Sequence, residues 1–309
     1  MRFPIMTPSG IEGFASREVM TDRGTVFCHE GGAGPPILLL HGFPETSLMW
    51  HDVAPLLARD FTVVAADLPG YGRSDCPVDG EGHEAMSKRA LAWTLIAAMK
   101  ALGHATFAII GHDRGGRVAY RAALDYPDIV TAAAILDVIP TYEVWERADA
   151  RLALSFWPFS LLAQPAPLPE RLLLAAPEAV IDNALSEWGS PPEAFPSWLR
   201  EAYVAALSDP DHVHTICEEY RAAAGIDREI DRADLEAGRR IQSPLLALWS
   251  GKGGLAAWYD DAGGPSGIWR RWAEDVQGQA VSSGHFFPEE QPEATANAIS
   301  KFLHDRTGH

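Results

Sequence analysis

The sequence predicts an α/β fold: a mostly parallel sheet flanked by helices, with a helical segment inserted between two of its strands. Three observations predict it. Short β-branched or aliphatic runs alternate with longer Ala- and Leu-rich stretches, the pattern of a sheet wrapped by helices. The alternation breaks between about Pro140 and Arg239, where Trp, Pro, Leu and Ala abound without a convincing strand run. It resumes after Arg240, so the interruption belongs to one sheet.

In chain order the strand candidates are Pro36–Leu40, Phe61–Ala66, Thr106–Gly111, Thr131–Leu136, Pro244–Trp249 and Gln279–Ser282. Helix candidates are His83–Leu102, Gly115–Leu124 and Glu290–Leu303, the last following the final strand. The intervening stretch holds Trp145, Trp157, Trp188, Trp198 and the run QPAPLPE at Gln164–Glu170. It reads as a helical cap over residues 140–239, dividing a core built from residues 1–139 and 240–309. A separate all-helical domain would have to interrupt a sheet whose last strands return afterwards.

Composition narrows the function classes. The chain has 309 residues, with 25 Lys and Arg against 42 Asp and Glu, hence a formal charge of 25 − 42 = −17. Apolar types make up 47% and charged types 22%, as in ordinary globular proteins. Nucleic-acid binding and polybasic membrane attachment both need a basic surface, which this composition disfavours. An anionic substrate would need a few locally placed arginines to overcome the acidic background. Cys28, Cys76 and Cys217 are odd in number and lack CxxC spacing, so neither a disulfide framework nor a metal site is expected. The N-terminal MRFPIMTPSG has no apolar h-region; a soluble cytoplasmic protein is the expectation.

The most specific segment is Ala108-Ile109-Ile110-Gly111-His112-Asp113-Arg114-Gly115-Gly116-Arg117. It reads strand, glycine-pinched turn, helix: the G-x-nucleophile-x-G elbow that lifts its central side chain out of the sheet edge. That residue is Asp113 rather than Ser. A carboxylate is already ionised at neutral pH and needs no base to attack. It suits displacement at a saturated carbon, giving an ester that histidine-activated water can hydrolyse. An Asp merely capping the next helix is the plain alternative.

Two further segments fit the α/β-hydrolase plan. His41-Gly42-Phe43-Pro44-Glu45 follows the first strong strand, where the loop supplies one oxyanion-hole N–H; Phe43 is that candidate donor, paired with the N–H of Arg114. His285 lies between the last strand and the last helix, the expected place for the base, although the chain has 11 histidines. His112 is expected to pack beneath the turn and His41 to scaffold its loop. The orienting acid is assigned to Asp137, which ends a strand at the carboxyl edge, with Asp260 as the alternative.

With these segments in place the sequence resembles the aspartate-nucleophile α/β-hydrolases, specifically the fluoroacetate/haloacetate dehalogenases. The resemblance rests on HGFPE, DLPGYGRSD (Asp67–Asp75), SKRALA (Ser87–Ala92), GHDRGGRVAYRAALDYPD (Gly111–Asp128), LDVIPTY (Leu136–Tyr142), AQPAPLPE (Ala163–Glu170), EEYRAAAGIDRE (Glu218–Glu229) and GHFFPEE. Epoxide hydrolases share the fold and HGFPE. They usually carry an aromatic residue after the nucleophile, where this chain has Arg114. Arg114 and Arg117, one and four positions past Asp113, are candidates to clamp a small carboxylate.

The resemblance implies that fluoride leaves into a cap pocket formed by a consecutive His-Trp pair and a Tyr. Counting back from Gln164-Pro165 places that pair on Pro158-Phe159, while the Tyr is kept as Tyr220 and a cap Trp as Trp188. Pro and Phe donate no side-chain hydrogen bond. Trp157, one position earlier, is the candidate stand-in. The expectation is a cofactor-independent hydrolase using a small anionic substrate and water, weak on fluoroacetate, and a homodimer by resemblance. Its rivals are an epoxide hydrolase using Tyr220 or Tyr142 as acid, and a non-catalytic ligand-binding protein on the same fold.

Overall fold

The computed structural model describes residues 10–307. The expectation of no apolar leader falls mainly on residues 1–9, outside the described residues. The fold is α/β, an eight-stranded sheet in the order β1-β2-β4-β3-β5-β6-β7-β8. The strands are β1 Ala15–Thr21, β2 Gly24–Gly32, β3 Pro36–Leu40, β4 Thr62–Ala66, β5 Phe107–His112, β6 Val130–Leu136, β7 Leu245–Ser250 and β8 Val276–Val281. The β1–β2 and β2–β4 pairs are antiparallel, and every later pair is parallel.

Central strands are buried on both faces, which is why they read as unbroken apolar runs. All six residues of β5 are buried. The hairpin β1–β2 escaped the sequence reading for the opposite reason. Among the seven residues of β1 only Val19 is fully buried, so no apolar run marks it. A turn signal existed in Thr21-Asp22-Arg23-Gly24, where Thr21 pairs with Gly24 across a two-residue loop. Likewise β8 begins three residues before its expected start, because Gln277–Ala280 at the sheet edge are exposed.

Register makes the site. Leu40 pairs with Gly111, His112 with Leu136, and Leu136 with Leu248. The carboxyl ends of β3, β5, β6 and β7 are therefore level, and the segments that follow them emerge together at one edge, where open α/β sheets bind ligands.

From Thr141 to Glu236 the chain is helical, with no strand among the described residues. Local chemistry sets the helix starts: Asp149 accepts from the N–H of Arg151, and Asp209 accepts from the N–H of Asp211 ahead of helix Pro210–Ala224. Ile181, Leu199, Tyr203, Leu207, Val213 and Cys217 bury the segment's apolar faces. No helix among the described residues is long and apolar enough to cross a membrane.

Candidate active site

β5 turns into helix Asp113–Asp125 with no loop between them. Asp113 has φ +43°, the left-handed region that costs a non-glycine residue roughly 1–2 kcal/mol. The turn is close-packed: a Cβ on Gly111 would lie 2.2 Å from the carbonyl oxygen of Gly115. A Cβ on Gly42 would lie 2.6 Å from the Cβ of Asp113. This approach of the β3 loop lets the Phe43 N–H donate to Asp113 Oδ2 at 3.1 Å. Arg114 N–H makes no hydrogen bond to that carboxylate among the described residues. Burial opposes ionisation of Asp113, but His285, Arg114, His112 and Arg117 together outweigh it and hold its pKa below the ordinary value.

His285 follows β8, and its Nδ1 is 2.6 Å from Asp137 Oδ2. The other oxygen, Oδ1, accepts the Ser250 N–H at 2.8 Å. Asp137 itself has φ +54° and donates its N–H to Leu248 O, so β7 holds both its backbone and its carboxylate. The alternative acid, Asp260, is exposed on a short 3-10 turn. His285 N–H is tied to Trp188 O at 3.0 Å, and its ring meets the Trp188 ring edge-on at 5.5 Å. His112 carries the His285 carbonyl at 2.9 Å, and His41 accepts the Leu68 N–H, so both act as scaffolding.

Asp113, Asp137 and His285 line one cavity, together with Arg117, Tyr220 and Tyr259. Its apolar wall includes Phe156, Phe159, Trp188 and Trp258. The space open to water-sized centres is about 30 Å³, roughly twice what one ordered water needs, which fits a small substrate.

The two arginines part company. Arg117 lines the cavity, whereas Arg114 does not. Helix Pro210–Ala224 brings Glu219 against Arg114, whose Nε is 2.9 Å from both carboxylate oxygens. The same carboxylate pairs with Lys88 and accepts from the Tyr71 hydroxyl. The Tyr220 ring lies over the Arg114 guanidinium at 4.0 Å. Burial opposes the charge of Glu219, but Arg114 and Lys88 dominate and pull its pKa down to about 2.

Residues 35–168 match the family model for the alpha/beta hydrolase fold. Fluoroacetate dehalogenase from Burkholderia sp is 41% identical over 295 residues, 95% of each chain. The chain is a hydrolase of the α/β-hydrolase family, in its fluoroacetate dehalogenase branch. The epoxide hydrolases stand close by: the soluble epoxide hydrolase of Corynebacterium sp. (strain C12) is 30% identical over 88% of this chain and 91% of that one. The crystal structure of ALR0039 from Nostoc sp PCC 7120 superposes with a TM-score of 0.90 at 42% identity, covering 94% of this hydrolase and 98% of that chain.

In this hydrolase Pro158 and Phe159 line the cavity, in the place expected for them. Trp157 is a correction. It does not line the cavity, and its indole N–H donates to Asn183 Oδ1 at 2.8 Å, so it cannot stand in for a missing donor. Tyr142 lies elsewhere too, in a surface groove with Arg228 and Glu229. The sequence reading missed Tyr259 and Glu219. Trp258-Tyr259 follows β7 at the carboxyl edge, a position that was signal enough to test its side chains. Glu219 carried no such signal, because its partner Arg114 is 105 positions away.

Proposed function

We propose that this hydrolase removes halide from small 2-haloacids of the haloacetate type, with residues 140–239 acting as a cap. Asp113 attacks the carbon α to the substrate carboxylate; the carbon–halogen bond breaks as the carbon–oxygen bond forms, and halide departs. His285, oriented by Asp137, then takes a proton from water while the water oxygen adds to the ester carbonyl carbon of Asp113. The Phe43 N–H, with that of Arg114, receives the developing oxyanion. Collapse of that intermediate returns the Asp113 carboxylate and releases a 2-hydroxyacid. Arg117 draws the substrate carboxylate into the site.

The observation that supports this reading most is the juxtaposition, on one small cavity, of an ionised buried Asp113, the His285–Asp137 pair and Arg117. A single-turnover reaction in heavy-oxygen water tests it. The first product is expected to carry unlabelled oxygen from Asp113, and the label is expected in Asp113 itself. Label appearing directly in the first product would replace the ester route with direct attack by water.

A second reading has its own support. Two phenols, Tyr220 and Tyr259, line the cavity, and opening an epoxide needs an acid to protonate its oxygen. A screen of bromo-, chloro- and fluoroacetate beside small epoxides, reading halide and diol, separates the two. Diol without halide from any haloacetate would favour the epoxide reading.

A further inference from the structure

Resting on the ester route above, we propose that Ser190 and Glu290 position His285 for the hydrolytic step, by latching residues 188–190 of the inserted segment across the loop that carries the base. Neither residue lines the cavity, so both act through His285.

His285 sits between β8 and the short helix Phe287–Glu290, where neither element takes up its backbone. Buried N–H groups in such a loop need partners from elsewhere. Three consecutive ones find them: Gly284 N–H donates to Glu290 Oε2 at 2.9 Å, His285 N–H to Trp188 O at 3.0 Å, and Phe286 N–H to Ser190 Oγ at 3.3 Å. Two of these acceptors belong to residues 188–190. Glu290 joins the two segments, since its Oε1 accepts the Ser190 hydroxyl and its Oε2 also accepts the Ser283 hydroxyl at 2.6 Å. With its proton given to Glu290, Ser190 Oγ turns a lone pair to the Phe286 N–H. One carboxylate thereby holds the chain on both sides of the base.

The segments touch backbone to backbone. A Cβ on Gly284 would lie 2.4 Å from the carbonyl carbon and oxygen of Gly189, and Gly189 itself has φ +88°, a conformation that favours glycine. The Trp188 ring stacks on Phe286 at 5.8 Å and also lines the cavity. The latch therefore sets the distance between the cavity wall and the base. On the opposite side Asp137 holds Nδ1 and His112 holds the His285 carbonyl. Asp113 is placed by other contacts, the glycine-pinched turn and the Phe43 N–H, in which neither residues 188–190 nor Glu290 takes part. Loosening the latch should shift the base and leave the nucleophile in place.

The test is rapid-quench kinetics with bromoacetate, reading bromide release and decay of the Asp113 ester separately. Ser190→Ala should release bromide at the wild-type rate. Its ester should decay roughly ten- to a hundredfold more slowly, the cost of a slightly misplaced catalytic group, and should accumulate in the intact-protein mass. Glu290→Gln leaves one oxygen to accept from three donors and should behave alike. Ser190→Thr keeps the hydroxyl and should restore most of the decay rate. Partial unfolding would lower the amplitude of the bromide burst, not the ratio of the two rates. Unchanged ester decay in both Ser190→Ala and Glu290→Gln would overturn the latch, as would equal slowing of both steps, and either result would leave the ester route standing. A wild type that released bromide without ester at any quench time, its product oxygen coming directly from water, would overturn the ester route and the latch with it.

Discussion

Asp137 holds His285 at 2.6 Å although 148 positions separate them in the chain. Both partners are fixed independently. The second oxygen of Asp137 is tied to the Ser250 N–H, and the backbone N–H of His285 is tied to Trp188. The imidazole therefore presents Nε2 to the cavity in one orientation, with Nδ1 as the donor to the carboxylate.

This pairing predicts a specific failure in Asp137→Asn. An amide keeps the size of the carboxylate but not its charge, and can select the wrong imidazole tautomer. Steady-state kcat on bromoacetate should fall on the order of 10⁴-fold, by analogy with a serine-protease triad. One equivalent of bromide should still be released quickly, because Asp113 needs no base to attack. Rapid-quench bromide measurement and intact-protein mass should show the burst and the ester together. Loss of the burst along with turnover would mean that His285 and Asp137 serve the first step instead.

The pH response of that burst follows from Asp113. Burial would raise its pKa, yet His285, Arg114, His112 and Arg117 hold it below the ordinary carboxylate value. The attacking form is thus fully populated well into the acid range, and the burst rate should stay flat from neutral pH down to about pH 4. Stopped-flow halide detection checks this. A burst rate already falling by pH 6 would show that Asp113 does not carry the first step as an ionised carboxylate.

The parts of the fold that were legible were those with two-sided burial. Leu38–Leu40 and Ile109–Gly111 announce central strands because every residue faces a packed layer. The exposed β1 and β8 carry no such run. At the site, Asp113, Phe43, Asp137 and His285 stood out because turn geometry and chain order constrain the residue types there. The cavity wall was less legible, since it depends on which way side chains of several helices turn. Trp157 faces Asn183 and Tyr259 faces inward, and neither direction is written in local spacing.

Behind the site lies a second titrating pair. Glu45 and Glu289 are both buried and raise each other's burden of charge; Tyr203 donates to Glu289, and His112 Nδ1 is 3.3 Å from Glu45, whose oxygens make no hydrogen bond among the described residues. Burial raises both pKa values, Glu45 to about 8, with Asp113 adding to it, and Glu289 well above the ordinary value. The unfolded value is about 4.3, so between there and pH 8 the native state binds more protons than the unfolded chain. Stability must then fall as pH rises through that window. Glu45→Gln should flatten the decline of Tm between pH 5 and 8, and Glu45→Gln with Glu289→Gln should flatten it further. Thermal melts of both variants against the wild type decide it; unchanged slopes would show that the pair carries no extra protons.

The last prediction concerns fluoride. Its bond to carbon is strong and the departing ion is small, so its release depends on donors aimed at the developing charge. The cavity offers Pro158 and Phe159 where the resemblance implies His and Trp, and Trp157 is turned away to Asn183. Tyr220 and the kept cap tryptophan, Trp188, are the remaining donors of the expected set, and both line the cavity. Each missing donor should forfeit about 2.7–4 kcal/mol of transition-state stabilisation, by analogy with oxyanion-hole deletions. Fluoroacetate should therefore turn over at least a hundredfold more slowly than chloroacetate, whose leaving group needs less help. Restoring donors with Pro158→His and Phe159→Trp should raise defluorination while changing dechlorination little. Helix Pro158–Leu161 begins at Pro158, so replacing that residue removes a helix-starting proline; circular dichroism and melting must accompany the kinetics. Fluoroacetate turnover equal to that of chloroacetate in the wild type would refute the donor argument. A folded double variant with no gain in defluorination would refute it from the other side, because donors at both positions would then have proved insufficient.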